Sequence, residues 1–333
     1  MIDSFLKALW SNDAKQVKDM LHTAAFFRDQ DGQAYREADD VVEKLLAYAD
    51  YRASDPYTYA SIHVVWLNEH LCMKIKPAGN KVEKIYIRYV PKGLRRIRMD
   101  FSYDGSHYDG FQRQKGSIPS VQKSIENCLG HILQEKTVIV SAGRTDKGVH
   151  ALHQVVHFDT FSPIPADKLK TLLLKMLPED IVPSAVVDVP PVFHARYDVI
   201  KKTYLYRIIH ENDPFKAHYA HLHKDPIDID KLTALLDKLR GTHDFIGFSK
   251  ISPGKPTVRT ITDISAYQHD KETRIEIESS GFLRHMVRII VGNALKDLNQ
   301  GTDTIDAALK SPSKDNVKYI APSNGLYLKS IYY

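Results

Sequence analysis

The stretch Ser141-Ala142-Gly143-Arg144-Thr145-Asp146-Lys147-Gly148-Val149-His150 gathers a carboxylate, two cations and an imidazole within ten residues. Strand-like runs at 137–141 and 153–158 flank it, so these groups occupy a loop held at the end of a sheet, where sites tend to lie. A carboxylate in such a loop can carry nucleophilic or acid–base chemistry. A plain Gly-Asp turn would use the same residue types, because both are favoured in turns for local reasons. A second group, His150, His153, His157 and Asp159, raises metal chemistry. Along an extended strand His153 and His157 share a face but stand ~13 Å apart. That spacing is too wide for two ligands at ~2.1 Å from one metal, so no metal site is expected. Cys72 and Cys128 form no motif and read as reduced, buried thiols.

The elements that position the loop are legible in outline. Residues 1–92 read as a small α+β unit. Phe5, Leu6, Leu9 and Trp10 fall at helical spacing, as do Val17, Met20 and Leu21, and then Val41, Val42, Leu45 and Leu46 beyond a turn at 29–32. Strand-like runs follow at 62–66, 71–76 and 81–90. In the last, Ile85, Ile87 and Tyr89 alternate with Lys84, Tyr86 and Arg88. Helices followed by strands resemble, in layout, the cone-shaped fold of nuclear-transport-factor-2-like domains. Pro91-Lys92-Gly93 closes this unit. Beyond it the spacing predicts a strand at 97–103 and a helix over 121–133 capped by Ser120. A strand at 203–209, a helical face from Leu232 to Leu239, strands at 257–267 and 273–278, a helix over 282–298 and a closing strand at 325–333 follow. The expected class is α+β: two α/β halves, about 94–190 and 191–333, with antiparallel sheets flanking a cleft and helices on one side.

Several strings in this second unit resemble, in order, the motifs of the TruA family of tRNA pseudouridine synthases. Gly143-Arg144-Thr145-Asp146-x-Gly148-Val149-His150 is similar to the family's catalytic motif, and Tyr103-Asp104-Gly105-Ser106-x-Tyr108-x-Gly110-Phe111-Gln112-Arg113-Gln114 to its opening motif. Ser120-Val121-Gln122, Phe193-His194-Ala195-Arg196, Lys202-Thr203-Tyr204-Leu205-Tyr206, Phe282-Leu283-Arg284-His285-Met286-Val287-Arg288 and Gly325-Leu326-Tyr327-Leu328 complete the series. The resemblance spans about residues 95–333. Leu173 to Met176 depart from it where the family often carries an asparagine, and Ile164 stands where a basic residue can occur. The first ninety residues are additional to the family layout.

The resemblance implies a cofactor-free isomerase with Asp146 as its catalytic carboxylate. The reaction breaks the C1′–N1 bond of uridine, turns the uracil and joins C1′ to C5. Asp146 would attack C6, attack C1′ or take the C2′ proton; the residues leave these three open. Arg288 is implied as its ion-pair partner, since a guanidinium keeps a buried carboxylate ionised. Tyr204 is implied to stack on the base and assist proton removal at C5, whereas Tyr206 reads as a core residue. Leu326 would line the uracil pocket. Arg144 would contact RNA and fill the gap left by the extruded nucleotide, while Lys147 and Arg196 suit phosphate by charge. The implied partner is tRNA, bound by a homodimer and modified on the 3′ side of its anticodon stem-loop. The rival reading is a non-catalytic RNA-binding module on the same fold.

Composition agrees with a globular protein: 43% hydrophobic and 26% charged residues among 333. Lysine and arginine exceed acids by five, and all of that excess lies beyond residue 92. No apolar run reaches the length of a bilayer span, and residues 1–10 lack the pattern of a signal peptide. A cytoplasmic protein without membrane contact is expected. A chain starting near Leu94 is expected to fold and to keep the activity.

Overall fold

The computed structural model describes the chain except residues 52–53, 115–117, 251–253, 255 and 314–318. Three amphipathic helices, α1 (Ile2–Trp10), α2 (Ala14–Met20) and α3 (Ala38–Leu46), bury Phe5, Leu6, Leu9, Val17, Val41 and Leu45. Asp13 caps α2 by accepting the Gln16 N–H at 2.9 Å. Their apolar faces share one core with a six-stranded sheet. Its strands are β1 (Leu21–Arg28), β2 (Ala34–Tyr35), β3 (Tyr57–Tyr59), β4 (Ile62–Trp66), β5 (Leu71–Ala78) and β6 (Lys81–Tyr89), in the order β2-β1-β6-β5-β4-β3. β1 departs from the sequence expectation. Leu21 lies at helical spacing from Val17, yet α2 stops at Met20 and the chain enters a strand paired parallel to β6. Few β-branched residues mark β1, so tertiary pairing overrides a weak local preference.

The remaining strands form one ten-stranded sheet: β7 (Arg95–Tyr103), β8 (Val140–Ser141), β9 (His150–Thr160), β10 (Ile181–Val189), β11 (Lys201–Ile209), β12 (His221–Leu222), β13 (Gly241–Asp244), β14 (Val258–His269), β15 (Glu272–Ser279) and β16 (Leu326–Tyr332). The main path runs β10-β7-β9-β16-β11-β15-β14-β13. The expected halves therefore join edge to edge. The join is a short parallel pairing, Tyr327 with His150 and Leu328 with Ala151. Helices α4 (Val121–Leu133), α5 (Ala166–Met176), α6 (Ile229–Asp237), α7 (Met286–Gln300) and α8 (Thr304–Lys310) contribute to the core of this sheet. Ser120 caps α4 by accepting the Lys123 N–H.

The two sheets are docked on one another. Ile62, Val64, Cys72 and Val90 pack with Val192 in a small cluster of their own. Lys74, 4% exposed, reaches Asp198, fully buried, at 3.0 Å. Arg88 pairs with Asp159 at 2.7 Å and also donates to the Pro191 carbonyl. Opening this seam would expose the apolar cluster to water and break both ion pairs. Residues 1–92 are thus joined to the rest of the chain by more than a linker.

Candidate active site

The loop between β8 and β9 is pinned at both ends. Ala142 donates to Val155 O at 2.8 Å, and the Gly143 carbonyl accepts from the wholly buried Gln154 at 3.0 Å. Thr145 shares a 2.6 Å hydrogen bond with the Tyr103 hydroxyl, and its carbonyl accepts Phe111 N–H at 3.0 Å. The opening motif supplies the floor. A Cβ on Gly105 would lie 2.0 Å from Val149 O, and one on Gly110 would lie 2.9 Å from Thr145 O. Gly110 also has φ +79°, where side chains are strained. These glycines let the backbone of 105–111 lie directly against the loop that carries Asp146.

Asp146 projects from this loop toward the start of α7, its side chain 27% exposed. His285 Nδ1 lies 2.9 Å from Asp146 Oδ2, without the alignment of a hydrogen bond. Arg288 Nη1 lies 3.5 Å from the same oxygen. The Arg288 Nε–H donates to Ala321 O at 2.8 Å, which fixes the guanidinium toward the carboxylate. His285 takes left-handed backbone (φ 62°) at the N-cap of α7 and so turns its ring to the loop. Burial lowers its pKa, and Arg288 lowers it further, while the Asp146 charge opposes them. The helix N-terminus adds a positive potential beside the carboxylate.

Tyr204, on β11, is buried with its ring edge-on to Phe282 at 4.9 Å between centroids. Burial pushes its hydroxyl above the ordinary tyrosine range, and Tyr103 and Asp146 add to this. The phenol stays protonated and lies in the electrostatic reach of the carboxylate. Tyr206 is fully buried and donates to Pro322 O at 2.9 Å, a structural role that holds the segment leading to Leu326. Leu326 is buried at the start of β16, opposite Tyr206.

Asp146, Arg288 and Tyr204 thus come together, and Leu326 lies on the neighbouring strand. Arg144 and Lys147 are exposed on the loop, Lys147 3.7 Å from Asp109. Arg196 is exposed outside this group, its guanidinium carbon 5.7 Å from the centre of the Tyr197 ring. Lys201 pairs with Glu278 at 2.9 Å, and Lys202 donates to Ala142 O at 2.6 Å. Burial, with help from Arg196, pushes the Lys202 pKa down to about 8. His285 is the residue that sequence reasoning missed. Its signal was the i to i+3 spacing to Arg288, one turn apart on a helix start.

The histidines of the second group have separate duties. His150 accepts the Gly105 N–H at Nδ1, lies 2.9 Å from His218 O at Nε2 and stacks on Tyr327. His153 contacts Asp100, and His157 accepts the Ala195 N–H. Asp159 serves Arg88 and Arg96. Among the described residues no group of three or more His, Cys, Asp or Glu is placed to hold a metal. No helix among them is long and apolar enough to cross a membrane.

A carboxylate held on a sheet-anchored loop, with an imidazole, a guanidinium and a buried phenol about it, is more than a plain turn requires. Comparison with known proteins gives its family. The tRNA pseudouridine synthase profile matches residues 101–198 and 235–333. "tRNA pseudouridine synthase A 2" of Clostridium tetani is 39% identical over 245 residues, covering 72% of this chain and 99% of its own length. "tRNA pseudouridine synthase A" of Acetivibrio thermocellus is 39% identical over 246 residues, covering 72% and 100%. The chain belongs to the tRNA pseudouridine synthase family, a family of isomerases. Among solved structures, an NTF2-like protein of unknown function from Cytophaga hutchinsonii is 8% identical, covers 27% of this chain and 88% of its own, and has a TM-score of 0.23. Similarity at that level assigns neither fold nor function.

Proposed function

We propose that this protein converts uridine to pseudouridine on the 3′ side of the tRNA anticodon stem-loop, with Asp146 as the catalytic carboxylate. The observation that carries the reading is the convergence of His285 and Arg288 on one oxygen of Asp146, in a chain of this family. Arg288 brings a positive charge to that oxygen, and the His285 ring lies against it. That leaves the other oxygen for the nucleoside. In the reaction the C1′–N1 bond breaks, C1′ joins C5, and the proton on C5 is lost while N1 gains one. In this reading the Tyr204 ring supports the base and its protonated hydroxyl relays the C5 proton, a role that its burial within electrostatic reach of Asp146 supports. Leu326 supplies apolar pocket wall. Arg144 and Lys147, exposed on the loop, meet the RNA, and Arg196 takes phosphate. The enzyme acts as a homodimer on one tRNA; light scattering of the free protein tests the dimer, and of the complex the stoichiometry.

The test is site-resolved pseudouridine mapping of tRNA treated with wild type and with Asp146→Ala. Wild type introduces pseudouridine in the anticodon arm; the variant binds tRNA, because affinity is spread over many phosphate contacts. It loses at least ~10³-fold in single-turnover rate. Turnover by Asp146→Ala near the wild-type rate would sink the assignment. Asp146→Asn serves as a near-isosteric companion.

A further inference from the structure

The six-stranded sheet has two unlike faces, and alternation along each strand sorts them. One face, with Phe27, Met73, Ile75, Ile85 and Ile87, is covered by the helices. The other carries Phe26 and Arg28 from β1, Lys84 and Tyr86 from β6, and Lys74 and Lys76 from β5. Register places Phe26 beside Lys84, Arg28 beside Tyr86, and Lys74 beside Tyr86. On the β4 side this second face is docked through Ile62, Val64 and Cys72. On the β1 side it is open, a cleft of about 470 Å³ lined by Thr23, Ala25, Phe26, Arg36, Lys84 and Tyr86. Arg28 and Arg36 each hold a guanidinium carbon 5.7 Å from the Phe26 ring centre. Both are exposed, and neither makes an ion pair among the described residues. Lys84 forms an ion pair with its sequence neighbour Glu83, at 3.1 Å.

This open face runs on into the catalytic unit. Lys76 donates to Tyr197 O at 2.9 Å across the seam. Tyr197 is 62% exposed, and Arg196 sits over its ring. Arg196 in turn acts on Lys202, whose ammonium is hydrogen-bonded to Ala142 beside the Asp146 loop. Lys202, Arg196, Tyr197 and Lys76 therefore lead, as cations and a ring, from beside the Asp146 loop to the open face.

We infer that the open face of the N-terminal sheet is an RNA-binding surface that extends the tRNA grip of the catalytic unit beyond the modified stem-loop. The inference rests on the proposed tRNA substrate. Guanidinium groups recognise phosphate bidentately and stack on bases. Aromatic rings set among cations are the pattern of single-stranded and loop RNA contact. Continuity with the catalytic face selects RNA over an acidic protein as the occupant.

The experiment uses the full chain with Arg28, Arg36 and Lys84 all replaced by alanine, against wild type, with an unmodified tRNA transcript. Affinity is measured across a salt series and turnover across a tRNA series. The inference expects at least a tenfold weaker Kd and a salt slope shallower by about 2 to 3, as three lost phosphate contacts require. KM rises in step while kcat changes less than twofold. Ultraviolet cross-linking of wild type to tRNA should also label Phe26 or Tyr86. Equal Kd and slope in the triple variant, with no such cross-link, overturn it. Loss of a co-purifying protein with unchanged tRNA affinity assigns the face to that protein and overturns it equally. Failure of the parent reading looks different: wild type then forms no pseudouridine in any tRNA.

Discussion

Replacing Gly110 with alanine tests whether backbone contact positions the carboxylate. Gly110 has φ +79°, and the left-handed region costs an L-residue about 1–2 kcal/mol. The new Cβ would stand 2.9 Å from Thr145 O, 3.2 Å from the Asp146 carbonyl carbon and 3.2 Å from Lys147 N. All three are backbone atoms of the loop that carries Asp146, so relief requires the loop itself to move. Its anchors, the Thr145–Tyr103 and Thr145–Phe111 bonds, resist that movement. We expect a total loss of about 2–3 kcal/mol in unfolding free energy, the strain plus a share of steric overlap. Misplacing a catalytic group by about 1 Å costs ~10²-fold, so a shift of a few tenths should lower kcat by about 10-fold or more. Release of tritium from C5-labelled uridine reports turnover, because C5 loses its proton in the reaction. Gly301→Ala is the control: φ is +63° but nothing lies within 4 Å of the added Cβ. It should cost only the left-handed strain, about 1–2 kcal/mol, and leave kcat alone. If Gly110→Ala matched Gly301→Ala in both stability and turnover, positioning through this contact would be refuted.

Four further outcomes follow from the geometry. Tyr204→Phe keeps the ring against Phe282 and removes the hydroxyl, so tRNA affinity should hold while kcat falls; full activity would exclude the hydroxyl from proton transfer. His157 is held neutral, its pKa pushed down to about 2 by burial and by the Arg96 charge. Between the ordinary value of 6.5 and about 2 the unfolded chain binds the extra proton, so stability falls as pH drops through that window, by up to about 1.4 kcal/mol per pH unit from this group. His157→Gln should therefore lose less stability than wild type between pH 7 and 5 in urea titrations, and parallel losses would contradict the assignment. Lys74→Met should cost about 3 kcal/mol by stranding buried Asp198, with Asp198→Asn restoring part of it. A cost under 1 kcal/mol would mean that Lys76, at 3.7 Å, and the His194 N–H, at 2.8 Å, already satisfy the carboxylate. By the same logic a chain beginning near Leu94 should fold less stably than the whole.

What the sequence determines by itself is local. The string from Gly143 to His150 marks the loop, Ser120 marks the start of α4, and the ordered motifs to Leu328 mark the family, because each is carried by neighbours in the chain. Alternation along 81–90 likewise reveals that β6 has a polar and an apolar side. The tertiary structure alone decides which distant groups meet. His285 and Arg288 belong to the other half of the sheet and reach Asp146 only because β9 and β16 pair in parallel. A histidine at a helix start looks ordinary until its left-handed backbone turns it to a carboxylate. The strand at 21–28 is equally silent, since its residues favour no single state and its pairing with β6 settles the matter. So too with the polar side of the N-terminal sheet: its charges are plain in the sequence, but half of them are consumed at a seam that only docking creates, and the other half is left facing water. Local composition encodes the propensity of each element, whereas contacts between residues far apart in the chain depend on the shape that all the elements reach together.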